Sequence, residues 1–532
     1  MDITNCSLEF KRSFTGLLKV KETQIRMSII DQAMNAIDRG IHSGGAMSAV
    51  TPLITLYYGG FIKYDVQNPT KREQDYFVLS KGHATATMTS IYADLGYFST
   101  ELLKNTRAYY SIVNGHPGPI LPGVHVSTGP LGEGICVAQG LAIAGMIDGI
   151  FDVFTMTGDG ELQEGMAWES IIYAGQHGLS NLCVLVDNNS GQLDTYDRLL
   201  YPSDAHLAEQ FESFNWNALE VDANSFDGLL NTLSAFKYGN RNGRPTAIIC
   251  KSRKGVGGFS ALFNKHKISM DEQLYANEME LQKKLLKKRE NHLMDQMADL
   301  SDDERHKLIH LAVEMNIQIE CKQDKKILHV APKVKITKAP VRNKRIQYDG
   351  MQLPEIDKNK KYMCCDIIRE SMKVFALDER VVSIDSDLGS TSGLEPGISF
   401  VDKYRAINVG IAEANMMNIG EAFSLLGYNV WVSTFCPFFN WQVMRRIAVS
   451  HQERCEDISN PDGWLNEGHG LDLTFLATAS NIDTAVNGAT HMGTDDILVF
   501  DTIPYLKIID VSCPQQLLGI MKWIMEGNKG LV

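Results

Sequence analysis

Along the first 280 residues, short apolar runs alternate with longer stretches whose apolar positions recur at helical spacing. Phe77-Val-Leu-Ser80, Val153-Phe-Thr-Met156, Asn181-Leu-Cys-Val-Leu-Val186 and Thr246-Ala-Ile-Ile-Cys250 are each followed by glycine or polar turn residues. Continuous apolar runs predict strands buried on both faces, hence an α/β fold with a mainly parallel sheet flanked by helices. After Pro354 the alternation resumes: Val381-Val-Ser-Ile-Asp385, Tyr428-Asn-Val-Trp-Val-Ser433, Leu471-Asp-Leu-Thr-Phe-Leu-Ala477 and Leu506-Lys-Ile-Ile-Asp-Val511 are strand candidates. Between the two regions the pattern changes. Lys283-Lys-Leu-Leu-Lys-Lys-Arg289 carries five basic residues in seven, and 322–326 and 333–338 continue the theme. A solvated helix running into an extended linker is the expectation, with a basic docking patch as the sharper alternative. The chain is therefore divided into a domain at 1–281, a basic linker at 282–353 and a second α/β domain at 354–532. No internal sequence repeat is visible. The chain closes on Gly530-Leu-Val532, where an apolar strand is starting. That ending favours truncation or a partner chain that supplies the rest.

Length and composition narrow the class. At 532 residues one core is not enough, which agrees with the two-domain reading. Apolar content of 44% and charged content of 22% are those of a globular protein. A net charge of −13 argues against nucleic acid or an anionic membrane as the main partner. The N-terminus lacks the basic start and apolar core of a signal peptide, and no apolar run approaches the roughly 20 residues that span a bilayer. Ten scattered cysteines without a C-x-x-C pair fit a reducing cytoplasm.

The candidate chemistry starts where Val153–Met156 ends, in Thr157-Gly-Asp-Gly-Glu-Leu-Gln-Glu-Gly165. A glycine-rich turn after a parallel strand suits a phosphate. A carboxylate at Asp159 repels one, unless a divalent cation sits between them; magnesium takes hard oxygen ligands and bridges carboxylate to phosphate. Asn189, at the end of the next apolar run, stands thirty residues on. That spacing fits a strand end, a helix and the next strand end, so Asn189 can offer the ion a second oxygen.

A Gly-Asp-Gly followed thirty residues later by Asn-Asn, with Trp168-Glu169 nearby, resembles the thiamine-diphosphate enzymes and the transketolase family in particular. Further blocks occur in that family's order: His42-Ser-Gly-Gly-Ala-Met-Ser48, Val78-Leu-Ser-Lys-Gly-His-Ala84, Gly115-His-Pro117, Ser127-Thr-Gly-Pro-Leu-Gly-Glu-Gly134 and Lys254-Gly-Val-Gly-Gly-Phe259. In the second half Ser386-Asp-Leu-Gly389, Asn408-Val-Gly-Ile-Ala-Glu-Ala-Asn-Met416, Ser433-Thr-Phe435 and Asn487-Gly-Ala-Thr-His491 follow. The resemblance covers residues 20–280 and 355–532. It implies a diphosphate-binding first domain and a pyrimidine-binding second domain, and a cytoplasmic homodimer that transfers a two-carbon ketol unit between sugars.

Residue by residue, the resemblance implies that Asp159, Asn189 and the carbonyl of Gly191 hold magnesium, with calcium or manganese as substitutes. His83, Gly129, Leu131, Gly158, Gly160, His266 and Asp387 would line the cofactor, and Phe435, Phe438 and Trp441 would grip its pyrimidine. Ordinary core packing is the competing reading of those three rings. Glu413 would hydrogen-bond the pyrimidine as a buried, protonated carboxyl group; Ile411-Ala-Glu-Ala-Asn415 is apolar around it. Glu164 and Glu169 resemble the acidic network joining paired sites. His42, His83, His116, His266 and His491 match the cluster that handles the sugar's protons.

The departures lie on the substrate side. Ile41 stands where the family has glycine, Glu133 where it has glutamine, Cys364 where it has a phosphate-binding arginine, Ala479 where it often has a substrate histidine and Asn487 where it has aspartate. An extra segment runs around 450–468. Arginine grips a phosphate bidentately and cysteine does not, so the expected donor or acceptor is a modified or unphosphorylated sugar. The family's third, C-terminal domain has no counterpart; a separate subunit carrying it is one alternative, and a cofactor-binding homologue without turnover is another.

Overall fold

The computed structural model describes residues 6–36, 39–192, 206–259, 262–263, 265–317, 336–482, 485–493, 496–527 and 529–532. The first sheet is built from β1 (Tyr76–Leu79), β2 (Val153–Gly158), β3 (Leu182–Asn188), β4 (Asn217–Asp222) and β5 (Thr246–Lys251). Its order is β1-β2-β3-β5-β4 and every pairing is parallel. The second contains β6 (Val381–Asp385), β7 (Ala406–Asn408), β8 (Asn429–Phe435) and β9 (Leu473–Thr478), ordered β7-β6-β8-β9 and again parallel. The α/β reading and the parallel sheets are thus as the apolar runs predict. β4 escapes that signature because it is an edge strand: Asn-Ala-Leu-Glu-Val-Asp is half exposed and breaks the apolar run. β7 has only three residues.

Two expectations need correction. Leu506–Val511 is not a strand: Leu531 bridges Leu473 and occupies the place beside β9, and the earlier segment only sends the Lys507 N–H to the Leu531 carbonyl at 3.1 Å. Ile508, Ile509 and Val511 stay exposed. The boundary at 281 is also too early. The basic stretch is part of the helix Glu272–Met297, which packs against the helix Leu8–Asn35. Leu293, Met297, Leu308 and Ile317 are buried in the first domain's core, while the lysines stay on the outer face. The basic run at 322–326 and residues 333–335 of that at 333–338 lie outside the described residues.

The two domains meet along the helices Glu133–Asp148 and Glu413–Leu425. Beside them Arg446 is buried and splits its guanidinium between the domains. Nε and Nη2 donate to Glu421 at 2.7 and 3.1 Å, and Nη1 reaches Glu133 at 3.4 Å and the Ser127 carbonyl. The departure at Glu133 is therefore part of a domain contact in this chain. The extra segment has a similar place. Arg454 donates to the carbonyls of His125 and His469, and the Trp464 indole N–H to that of Pro119 at 2.6 Å. Ala339, on the linker, donates to the Trp464 carbonyl at 2.8 Å. No described helix is long and apolar enough to cross a membrane.

Removing one partner of a buried ion pair leaves the other charge uncompensated. Arg446→Leu is expected to destabilise the protein by about 3–5 kcal/mol, read as a lower urea midpoint. An unchanged midpoint would show that the pairing with Glu421 and Glu133 is energetically idle.

Candidate active site

Every candidate site residue of the first domain sits at or beyond the carboxyl edge of its sheet, where ligands of open parallel sheets bind. β2 runs into Asp159 and β3 into Asn189, and the two strands are neighbours, with Gly158 opposite Asp187. Asp159 is buried; its Oδ1 accepts the Gly160 N–H at 2.8 Å and its Oδ2 that of Ser190 at 3.1 Å. The Asn189 amide nitrogen donates to Asp187 at 3.0 Å and to Ser48 at 3.3 Å. Its oxygen, Oδ1, is buried without a hydrogen-bond partner. An orphaned amide oxygen near a carboxylate is a donor set that suits a hard divalent cation. The Gly191 carbonyl is the third predicted ligand; here it accepts from the Lys254 ammonium at 3.1 Å. Among the described residues no three His, Cys, Asp or Glu side chains are placed to hold a metal, so any ion here depends on this mixed carboxylate, amide and carbonyl set.

Asp187 orients the Asn189 amide and was not among the residues read from the sequence. Its Oδ2 accepts from Lys81, Ser48 (2.6 Å) and Asn189 together. Lys81 and Asp187 are both fully buried. Glu161 is a second such residue. Its buried carboxylate accepts from Ser80, from the Gly132 N–H at 3.0 Å and from the Gly158 N–H at 3.0 Å, so it ties three loops of the edge together.

Four of the five predicted histidines converge. The His42 ring lies 6.1 Å from His83, 5.4 Å from His116 and 5.3 Å from His266, and His83 lies 5.9 Å from His266. The glycines after His42 make this packing possible: a Cβ on Gly44 would lie 1.9 Å from the Lys265 carbonyl, and one on Gly45 2.5 Å from the His83 ring. Gly129 backs His116, and Leu131 stands exposed on the same side of the sheet. Burial, aided by Arg107, His116 and His266, pushes His42 down to about 4. Burial beside Lys254 and Lys81 takes His266 to about 4 and, with Lys81 and His266, puts His83 well below its usual range. At neutral pH these three are neutral imidazoles, able to accept a proton. Lys254, whose Nζ lies 2.9 Å from His266 Nδ1, is itself lowered to about 8, mainly by burial and next by Lys81.

The second domain presents its own group, also at strand ends. Phe435 and Phe438 lie 5.9 Å apart, and His491 is 5.5 Å from Phe438 and 6.5 Å from Phe435. Trp441 begins the next helix and is half exposed. Asp387 follows β6 with φ +56°, a left-handed conformation rare outside glycine. Glu413 opens the helix Glu413–Leu425 after β7. The expected burial of Glu413 is not what the chain shows. Glu413 is half-buried and Ile411 is 82% exposed, although Ala412 and Met416 on either side of Glu413 in sequence are buried. Glu169 touches this point, accepting the Asn415 N–H at 3.3 Å; burial, and next to it Glu413, raises its pKa. Glu164 caps the helix Gly165–Gln176 without a capping hydrogen bond from its side chain. Among the described residues no ring contact joins His491, Phe435 or Phe438 to the four histidines of the first domain.

Cys364 is the exposed first residue of a helix, Ala479 takes φ +54° just after β9, and Asn487 is exposed. The three substrate-side departures of the second domain thus fall on positions that are not buried, whereas Ile41 and Glu133 are buried in the first domain.

Two linked parallel sheets, with a Gly-Asp-Gly turn facing an orphaned amide across one edge and an aromatic group at the other, define a protein of the thiamine-diphosphate-binding class. Comparison with known proteins narrows this. Residues 19–304 match the transketolase thiamine diphosphate binding domain and residues 368–532 the transketolase pyrimidine binding domain. The chain belongs to the transketolase family, whose members are transferases. It is 26% identical to Homo sapiens transketolase over 496 residues, which is 92% of this chain and 68% of that protein. The chain thus spans about two thirds of the length of that relative. It is 31% identical over 248 residues to the 6-deoxy-6-sulfo-D-fructose transketolase subunit SqwG of Clostridium sp. (strain MSTE9), which covers 45% of this chain and 85% of that protein. Among solved structures, Campylobacter jejuni transketolase superposes with a TM-score of 0.71 at 20% identity, covering 96% of this chain and 77% of that one, a likeness of fold.

One buried acid near the second group gives a pH signature. Burial, and next to it Glu395, raises Asp385 from 3.8 to about 7. The folded state holds this proton more tightly than the unfolded chain does. The penalty is absent below the unfolded value and complete above the folded one, so stability falls as pH climbs through that window, by up to about 4 kcal/mol. Asp385→Asn is expected to exceed the parent in urea stability at pH 8 and to match it near pH 4. An equal difference at both pH values would contradict this.

Proposed function

We propose that the chain uses thiamine diphosphate and a divalent cation to move a two-carbon ketol unit from a ketose donor to an aldose acceptor. The observation that carries the reading is the meeting of His42, His83, His116 and His266 in the domain that holds Asp159 and Asn189. Asp159, Asn189 Oδ1 and the Gly191 carbonyl are assigned to magnesium, with calcium or manganese able to replace it; Lys254 would then give up its bond to Gly191. Gly158, Gly160, Gly129, Leu131, His83 and His266 are assigned to the diphosphate and thiazolium side, and Asp387, Phe435, Phe438 and Trp441 to the pyrimidine side. When bound, the cofactor supplies the nucleophilic carbon that opens a bond beside a ketone. The protein's part is to hold and move protons. The neutral histidines accept the hydroxyl proton of the sugar, and Glu413 holds a hydrogen bond to the pyrimidine ring.

We further infer that two copies share the work. Glu413 is only half-buried in one chain, and among the described residues no ring contact joins Phe435 or Phe438 to the histidines of the first domain. The first domain of a second copy, laid over Ile411, Glu413 and Trp441, would bury the carboxyl group and raise its pKa. His491 would join the other histidines in the same way. The sugar is proposed to be a modified or unphosphorylated one, because Cys364, Ala479 and Asn487 replace the phosphate and hydroxyl ligands implied by the family. A sulfonated sugar in the name of one relative supports that class. The word subunit in the same name supports a separate partner chain as a second arrangement. Every described cysteine is a free thiol, in keeping with a cytoplasmic location.

The test is a donor and acceptor panel with thiamine diphosphate and magnesium, including sulfonated and unphosphorylated sugars. Cleavage of a sulfonated or unphosphorylated ketose is expected, with Glu413→Ala lowering turnover about 10²–10⁴-fold in a folded protein. Ordinary efficiency with xylulose 5-phosphate and ribose 5-phosphate would refute the sugar assignment. Unaltered turnover in Glu413→Ala would refute the role of that residue.

A further inference from the structure

Two loops of the second domain carry its charged site residues: the turn after β6 holds Asp387, and the turn after β7 leads to Glu413. Both leave their strands in left-handed backbone, at Asp387 (φ +56°) and Gly410 (φ +74°). Two side chains join them, Asn408 and Ser386. The Oδ1 of Asn408, the last residue of β7, accepts the Asp387 N–H at 3.2 Å and the Gly410 N–H at 3.0 Å. Its Nδ2 donates to Glu395 Oε2 at 3.1 Å, which fixes which end of the amide faces the loops. Ser386 adds a second tie, donating to the Gly410 carbonyl at 2.8 Å and accepting the Ala412 N–H at 3.0 Å. The carboxylate reaches its place only because residue 389 is glycine: a Cβ there would lie 1.9 Å from Glu395 Oε2.

An asparagine that only capped its own turn would bind one loop. Here one oxygen serves two loops that are 21 and 2 residues away in sequence, and the other end of the amide is held by a third element. The backbone tie between the strands ends one residue past β7, where the Val409 N–H donates to the Asp385 carbonyl at 3.0 Å, and beyond it the side chains of Asn408 and Ser386 join the two loops. We propose that Asn408, locked by Glu395, is a positioning residue that sets the Asp387 and Glu413 loops against one another before cofactor binds. The inference rests on the assignment of Asp387 and Glu413 to thiamine diphosphate made above. Gly389 and Asn408, known so far only as parts of the motif blocks, then have a shared purpose: one admits the carboxylate and the other reads it.

The test uses the full chain and four variants: Asn408→Ala, Glu395→Ala, Glu395→Gln and Asp159→Ala. Amide exchange is measured without cofactor, and thiamine diphosphate affinity by calorimetry with magnesium present. Asn408→Ala and Glu395→Ala are expected to speed exchange at 387 and 410–412 while leaving β6 and the helix 413–425 protected. They are expected to weaken cofactor binding about tenfold. Glu395→Gln keeps an acceptor and is expected to behave as the parent. Unchanged exchange at both loops, or a rise spread evenly over the second domain, would overturn the proposal. So would parental affinity in Asn408→Ala while Asp159→Ala loses binding. Retained binding in Asp159→Ala would instead strike at the cofactor assignment, and the exchange result would still decide whether Asn408 holds the loops.

Discussion

The first domain's site depends on a buried pair, Lys81 with Asp187. Neither residue reaches water. Asp187 takes Lys81, Ser48 and Asn189 on one oxygen, and so fastens the loop after β1, the helix Ser43–Tyr58 and the end of β3 to one point. A buried ion pair adds little net stability, because the cost of removing both charges from water offsets their attraction. Its value here is directional. With its nitrogen committed to Asp187 and Ser48, the Asn189 amide has its oxygen left over, and that oxygen is the one without a partner. Metal ligands are oriented by such outer partners, so the arrangement makes sense if Asn189 Oδ1 awaits a cation.

The legible and the illegible parts of this fold differ in range. Gly-Asp-Gly and Asn-Asn are local, and each closes a continuous apolar run, so both strand ends and their chemistry can be read from short stretches. Continuous apolar runs also gave away seven of the nine strands among the described residues. β4 and β7 were hidden, one by edge exposure and one by brevity. The Lys81–Asp187 pair spans 106 residues and the Ser48–Asp187 bond 139, so no window of sequence contains them. The signal was faint but present: a lone lysine in a block of small residues, and an aspartate at the end of a wholly apolar strand. Glu413 shows the opposite failure. Its apolar neighbours were visible, but the helix start turns Ile411 outward, so apolar context did not mean burial.

The same exposure gives the account its shape. One chain supplies a histidine group with a candidate metal edge, and separately an aromatic and carboxylate group, each at the carboxyl ends of its own sheet. The proposed reaction assigns both to one chemistry. The described residues leave Glu413 only half-buried and show no ring contact between the two groups. Two of the substrate-side departures, Cys364 and Asn487, lie on exposed second-domain positions, which is where a family can change its sugar without disturbing the buried machinery around Asp187.

The most direct measurement is complementation between two inactive variants. Asp159→Ala disables the first-domain half of a site and Glu413→Ala the second-domain half. If sites form between copies, mixed dimers contain one intact site, and a denatured and refolded equal mixture should recover about a quarter of parental turnover. If each chain completes its own site, the mixture stays as inactive as its parts, and the account of two half-sites joined across copies is wrong.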